Sequence, residues 1–169
     1  GRDTEIKRTL AKLNTLGVSV PKSMSGRCDK IGRRTRLAEG GGGVRVENAV
    51  IKGLEWLKAT QNEDGSWGKK HTGAMTGLAL LCFLGHCELQ DSPEFGPTVQ
   101  KAISFLTSTP PEKMTGGGGG AYSHPIRTYA LCEAYTMTKI KKLELFAKRA
   151  AEAIVQGQNE SGGWAYSYG

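Results

Sequence analysis

Hydrophobic side chains recur at helical spacing in most of the chain. This spacing predicts six helical segments, at 3–16, 46–60, 72–86, 97–108, 123–138 and 141–157. The region 18–39 mixes Pro21, Gly26 and Gly32 with many basic residues, so it predicts mostly loop, with one turn of helix near Arg33–Leu37. The pattern as a whole predicts an all-α fold.

The predicted helices are of two kinds. Segment 46–60 is amphipathic, with Val46, Val50, Leu54 and Leu57 on one stripe. Segment 72–86 is apolar on nearly every side, which is typical of a helix that is surrounded by other helices. We therefore expect outer helices with one solvent-exposed face and inner helices that are buried on all sides.

A short motif follows the first outer helix and returns near the end of the chain. It runs from Gln61 to Gly68 with a Trp at 67, and from Gln158 to Trp164, and the two glutamines are 97 residues apart. A degenerate copy of the motif lies between them and has Pro110 at the Gln position. It divides the interval into steps of 49 and 48 residues. A fixed period of this length indicates a repeat architecture.

Gln-x-x-x-Gly-x-Trp after a helix resembles the repeat of the prenyltransferase and squalene-cyclase superfamily, and the resemblance covers roughly residues 44–169. The phrases at 74–81 and 124–135 look most similar to uncharacterised bacterial proteins that carry this repeat. The resemblance implies a partial α/α toroid of helix-pair repeats of about 49 residues. It also implies truncation, because a full toroid has about twelve barrel helices and this chain supplies about five.

The resemblance assigns the turn residues a packing role rather than a chemical one. In the resembling family the Gln amide caps helix ends and stacks on the Trp ring. The positions that match are Gln61, Gly65, Trp67, Gln158, Gly162 and Trp164. We expect these residues to join neighbouring repeats.

The catalytic signatures of the resembling family are missing from this chain. Its aspartates, Asp3, Asp29, Asp64 and Asp91, are scattered, whereas the acid-initiated cyclases cluster theirs as Asp-x-Asp-Asp. No aspartate-rich magnesium motif, Asp-x-Cys zinc pair or Cys-Gly-Glu-Gln thioester run is present either. The sequence thus predicts no metal site and no cofactor. It predicts that the chain is a non-catalytic binding or scaffold module. The alternative is a fragment of a terpenoid-cyclase-like or prenyltransferase-like enzyme whose catalytic residues lie outside the chain.

The toroid resemblance places the N-terminal ends of the inner helices at one mouth, where ligands of the family sit. The residues that it brings there are His71, Thr72, Met75, Tyr122, His124 and Arg127. Histidine and a fixed cation at helix N-termini suit a carboxylate or a phosphate, but capping and surface roles are the alternatives. Glu133 is a further candidate that needs a partner if it is buried.

Charge divides the chain into two parts. Residues 1–45 hold 11 Lys and Arg against 4 Asp and Glu, which accounts for the whole net charge of +7. We therefore separate a basic arm with a glycine-rich linker, 1–43, from the repeat region, 44–169. The arm suits an acidic partner, and nucleic acid is disfavoured because residues 1–45 contain no aromatic side chain for base stacking.

The remaining features leave the compartment open. The four cysteines form no Cys-x-x-Cys pair, and Cys82 and Cys132 fall in apolar segments where a free thiol behaves as a small hydrophobe. No apolar run is long enough to span a membrane. An incomplete repeat array leaves its ends uncapped, so we expect further polypeptide or a second subunit to close the toroid.

Overall fold

The computed structural model describes residues 20–113, 120–166 and 168, apart from the side chain of residue 112. The all-α prediction is confirmed, because these residues form helices and contain no β-strand. The helices are α1 (Lys22–Cys28), α2 (Lys30–Glu39), α3 (Gly43–Ala59), α4 (Thr72–Gly85), α5 (Gly96–Leu106), a short 3₁₀ helix (Pro111–Lys113), α6 (Gly120–Thr138) and α7 (Lys141–Gln156). The predicted helix at 3–16 lies outside the described residues.

The expectation of mostly loop over 18–39 is wrong, although the turn of helix predicted near Arg33–Leu37 lies within α2. Two helices, α1 and α2, occupy this region, and they meet at Asp29, whose carboxylate accepts a hydrogen bond from the Gly32 N–H at 2.9 Å. Glycine within a helix costs only about 1 kcal/mol, which tertiary contacts override. Those contacts come from distant parts of the chain, so the local pattern does not reveal them.

Helices α4 and α6 lie side by side at the centre, and α3, α5 and α7 pack around them. The two central helices approach closely because Gly77 faces Ile126, where a Cβ atom would lie 3.1 Å from the Ile126 carbonyl oxygen. Aromatic rings continue the core towards α5, with Phe83 between Trp67 and Phe95 at centroid distances of 6.3 and 5.5 Å. None of the described helices is both long and apolar enough to cross a membrane.

The basic arm is fastened to this core by a disulfide. Cys28 at the end of α1 is bonded to Cys87, which follows α4, and 59 residues separate them. Val20 and Met24 pack against the core beside this bond. The arm from residue 20 onward is thus a packed part of the molecule, whereas the boundary at residue 43 stays a prediction.

The segment that joins α3 to α4 is a tight turn, residues 61–68, which we call turn 1. The Gln61 Nε2 donates to the carbonyls of Gly65 and Thr98, both at 3.0 Å. The buried Trp67 donates from Nε1 to the Leu57 carbonyl at 2.8 Å. Turn 1 therefore bonds the helix before it and also α5, the next peripheral helix.

Turn 2, residues 158–164, repeats the internal bonds of turn 1. Gln158 Nε2 donates to the Gly162 carbonyl at 2.6 Å, and Trp164 Nε1 donates to the Ile154 carbonyl at 2.8 Å. Gly65 and Gly162 have φ of +89° and +84°, a conformation that glycine adopts without strain. The two turns are structural copies, but Trp164 is 50% exposed whereas Trp67 is 5% exposed.

Two burial predictions are wrong in part. The helix 72–86 is not buried all round, because Met75, Leu78 and Cys82 form an exposed stripe on α4. On α3, Leu54 is buried but Val46 and Val50 are exposed. The physical reason is the same in both places: no described residue packs over these stripes. The hydrophobic pattern specifies an apolar face, and only a neighbour makes that face buried.

Candidate functional site

The mouth of the molecule is the region where α4 and α6 begin. His71 precedes α4 in the left-handed conformation (φ 51°), and no side-chain hydrogen bond caps the helix. Its exposed ring meets the ring of Tyr122 edge-on, with centroids 6.3 Å apart. A non-glycine residue at positive φ is uncommon, so the backbone of His71 is in an unfavourable conformation beside this ring contact.

Arg127 lies behind this mouth, between α4 and α5. Its side chain covers Gly73, where a Cβ would come within 2.7 Å of the Arg127 Cδ, and Nη2 donates to the Leu106 carbonyl at 2.9 Å. Burial lowers the pKa of Arg127 from its ordinary value. Its Nε–H is buried and has no hydrogen-bond partner among the described residues. One buried donor of this half-buried cation is therefore left without a partner in the described residues at the start of α4.

His124 is fully buried and does not cap α6 as the sequence suggested, because the helix begins four residues earlier, at Gly120. Its Nδ1 is hydrogen-bonded to the Tyr168 hydroxyl at 2.7 Å, while Nε2 has no partner in the described part of the chain. Burial, and then the charge of Arg127, lower the pKa of His124. The imidazole is therefore neutral at pH 7.

Glu133 is buried on α6 and has the partner that its burial requires. The Arg27 guanidinium of the arm is 2.6 Å from its Oε1. A hydrogen bond with this carboxylate, together with its charge, raises the pKa of the exposed Tyr129. Arg27 and Tyr129 thus converge on Glu133, at a distance of roughly 9 Å along the helix from Arg127.

The structure divides the seven predicted lining residues among three places. His71, Thr72, Met75 and Tyr122 lie at the mouth, where all but Thr72 are exposed. His124 and Arg127 lie behind them in the packed layer, and Glu133 belongs to the attachment of the arm. Whether the set holds a ligand stays a prediction.

An exposed apolar face extends from the mouth along both central helices, and we define it by five residues. Met75, Leu78 and Cys82 follow His71 at helical spacing on α4, and Tyr122 and Tyr129 share one side of α6. Their exposures reach 44% at Met75 and Leu78, 58% at Tyr122 and 59% at Tyr129. The contact between His71 and Tyr122 places the two stripes on the same side of the pair.

A charged cluster, which the sequence did not indicate, holds the arm at the opposite end of α4. The buried Glu47 lies 2.8 Å from the Arg33 Nη2 and 3.4 Å from the His86 Nε2, and His86 Nδ1 is 2.9 Å from Glu88. The hydrogen bond from Arg33 is the main reason that the pKa of Glu47 is lowered. No sequence signal could reveal this cluster, because Glu47 is 14 residues from Arg33 and 39 from His86.

Changing Glu47 to glutamine is expected to lower the free energy of unfolding at pH 7 by about 2 kcal/mol, because Arg33 loses its buried counter-charge. The pKa of Glu47 is below its usual 4.5 in the folded chain. Its contribution is therefore complete above about pH 5 and is lost as the pH falls through the folded pKa. Urea unfolding at pH 7 and from pH 5 to 3 measures this, with the exposed Glu55→Gln as the matched control. A deficit that persists unchanged at pH 3 contradicts the assignment.

The described residues contain no group of three His, Cys, Asp or Glu side chains arranged to hold a metal ion. Two of the aspartates that were compared with the cyclase motif have structural roles in the described residues. Asp29 caps α2, and Asp64 accepts hydrogen bonds from the Ser66 hydroxyl and N–H, which lower the pKa of Asp64. Both have structural partners within a few residues.

The chain is similar to part of a squalene hopane cyclase of Aspergillus fumigatus, with 26% identity over 102 aligned residues. The match covers 52% of this chain and 13% of that protein, so the chain spans only a small part of its relative. No protein-family profile matches the chain, and no solved structure matches it significantly. The partial match to the cyclase supports a squalene-cyclase-like relationship and nothing finer. The likeness to bacterial repeat proteins stays a prediction.

Proposed function

We propose that the chain is a non-catalytic binding module, built from helix-pair repeats of the squalene-cyclase type, that holds an apolar ligand on the apolar face. The observation that carries the proposal is this face itself. Two adjacent helices present Met75, Leu78, Tyr122 and Tyr129 with about half of each side chain exposed. Contiguous exposed apolar surface of this kind marks a binding site more often than chance.

The mouth adds a preference for a negatively charged head group. The first N–H groups of a helix are unpaired and carry partial positive charge, and α4 begins there without a side-chain cap. Arg127 brings a half-buried cation next to this terminus, and its buried Nε–H has no partner among the described residues. We therefore propose an apolar chain that ends in a carboxylate or a phosphate. His71, Thr72, Met75 and Tyr122 line its site, and Arg127 supports them from behind.

The ion pairs support a binding role over a catalytic one. Glu133, the buried carboxylate nearest to the apolar face, is engaged by Arg27, and Glu47 is engaged by Arg33. A general acid must instead present its proton to the substrate. The buried carboxylates therefore fasten the arm to the repeats.

The second candidate function is part of a cyclase-type enzyme. The similar protein is named a squalene hopane cyclase, and a hydrocarbon such as squalene has the apolar chemistry that this face would bind. In this case a catalytic acid would come from polypeptide outside the chain. A longer protein that contains this sequence, and that converts squalene to a cyclic product, would favour the enzyme.

The proposed partners follow from the turns and from the arm. We propose that the six turn residues act as packing elements between repeats, and that further polypeptide or a second subunit extends the array. An acidic partner is proposed for the arm, through its exposed Lys22, Lys30, Arg34 and Arg36. Arg27 and Arg33 contribute less, because they are engaged internally.

Changing Leu78 to glutamate is expected to weaken ligand binding at least tenfold, because a charge in the middle of the apolar face must be desolvated. Isothermal titration with dodecyl phosphate, and with squalene in cyclodextrin as the uncharged comparison, measures the effect. The matched control is Val155→Glu on α7, where the side chain is 69% exposed and off this face. Equal loss in both variants, or no binding by the unmodified chain, contradicts the proposal.

A further inference from the structure

Turn 1 shows how a Gln…Trp turn of this chain meets a neighbouring helix. Besides its bond from Gln61 to the Thr98 carbonyl, it presses Gly65 against α5, where a Cβ would lie 2.7 Å from the Lys101 carbonyl carbon. Lys58, just before the turn, also covers the Phe95 ring at 5.7 Å. The contact therefore consists of one hydrogen bond from a side-chain amide, one glycine packed against a helix backbone, and apolar packing.

Turn 2 presents the same surface, and no helix of the described residues packs on it. The bond from Gln158 to the Gly162 carbonyl reproduces the one from Gln61 to Gly65. Around Gly162, however, the nearest atom to an added Cβ would be the Gln158 Nε2 at 3.8 Å. Turn 2 is thus preformed, and none of the described residues covers its outward side at Gly162.

The helix at the other end of the array is open in a complementary way. The 49-residue step relates Phe95, Thr98 and Val99 of α5, which are all buried, to Val46, Ala49 and Val50 of α3, which are all exposed. These three α3 residues line a groove of about 660 Å³ together with Gly41, Gly42 and Arg45. The α3 face is therefore the counterpart of the α5 face that turn 1 contacts.

We infer that turn 2 of one copy docks on the α3 groove of a second copy, as turn 1 docks on α5 within the chain. By the repeat step, the Ala49 carbonyl takes the place of Thr98 as the acceptor for Gln158, and the Lys52 backbone lies over Gly162. The charges agree, since the turn carries Glu160 and the groove is flanked by Arg45 and Lys52. The contact joins two different surfaces, so it is a head-to-tail association.

This inference rests on the part of the proposed function that expects a second subunit, and it does not depend on the ligand. Two variants each remove one half of the contact. Val50→Glu places a charge in the groove, and Gly162→Asn keeps a residue that tolerates positive φ while adding a side chain where the second copy packs. The matched control is Val44→Glu, which is on the same helix, 68% exposed, and not among the groove residues.

Sedimentation velocity of the 169-residue chain from 1 to 500 μM tests the contact, with circular dichroism as the check that each variant folds. We expect species at multiples of 18.1 kDa for the unmodified chain and for Val44→Glu. Val50→Glu and Gly162→Asn should each raise the dissociation constant at least tenfold.

Mixing the two variants is the decisive measurement. Gly162→Asn retains the intact groove, and Val50→Glu retains the intact turn 2. The mixture is therefore expected to form a dimer of one chain of each kind and nothing longer. The inference is overturned if the mixture stays monomeric, or if Val44→Glu dissociates the chain as strongly as Val50→Glu does. The inference is also overturned if the unmodified chain is monomeric at every concentration. In that case the partner of turn 2 would be a helix of another polypeptide. Failure of ligand binding with intact assembly would affect only the ligand proposal.

Discussion

Alanine at Gly65 is expected to lower the free energy of unfolding by about 3–4 kcal/mol, whereas alanine at Gly162 should lower it by only about 1 kcal/mol. Both glycines have positive φ, so both variants carry the same backbone strain. The variants differ in the space around the new methyl group. At Gly65 the methyl group collides with the backbone of Lys101, and at Gly162 it meets nothing closer than 3.8 Å.

Urea unfolding followed by circular dichroism measures the difference, which isolates the packing of turn 1 on α5 from the strain of the turn. The pair is matched, because the two turns have the same internal hydrogen bonds. Samples must be dilute enough to be monomeric, so that association does not protect turn 2. Equal losses at the two sites would show that the contact between turn 1 and α5 contributes little to stability.

Reduction of the Cys28–Cys87 disulfide is expected to destabilise the chain by about 4 kcal/mol. The bond closes a loop with a sequence separation of 59 residues, and the chain-entropy relation gives this magnitude for a loop of that length. For a domain of this size the loss corresponds to a fall of the melting temperature of roughly 10 °C. The arm should loosen first, since it depends on this bond and on ion pairs of Arg27 and Arg33.

Thermal unfolding with and without dithiothreitol measures this effect. The Cys28→Ser, Cys87→Ser double variant should already be destabilised and should not respond to the reductant. The control is the Cys82→Ser, Cys132→Ser double variant, which removes the two free thiols and should keep the full response. If the response to dithiothreitol disappears in this control instead, the disulfide does not join Cys28 to Cys87.

The arm has a structural role beside the proposed binding of an acidic partner. Part of its excess positive charge neutralises buried carboxylates, as Arg27 does for Glu133 and Arg33 does for Glu47. Breaking such a pair on one side leaves a buried charge without compensation, which is costly. The exposed cations of α2 remain available to an acidic partner, but the packed arm is first a structural element.

The local hydrophobic pattern was sufficient to predict the helices of the repeat region. The expected segments 46–60, 72–86 and 141–157 agree with α3, α4 and α7 to within three residues at each end. This success has a local cause, because periodic apolar residues and terminating glycines act within one or two helical turns. The two Gln…Trp turns were located for the same reason, since each closes through hydrogen bonds within ten residues.

The contacts between these elements, in contrast, join residues that are far apart in the sequence and depend on how the helices pack. Arg27 and Glu133 are 106 residues apart, Cys28 and Cys87 are 59 apart, and His86 meets Glu47 across 39 residues. No local pattern encodes a pair at such separations, so α1 and α2 were mistaken for loop. For the same reason six of the seven candidate residues were expected at one mouth, whereas packing places His124 and Arg127 behind it. Glu133, the seventh candidate, is paired with Arg27 of the arm. A sequence pattern specifies which faces are apolar or charged, and the packing of distant segments decides which of them are covered and which stay open for a partner.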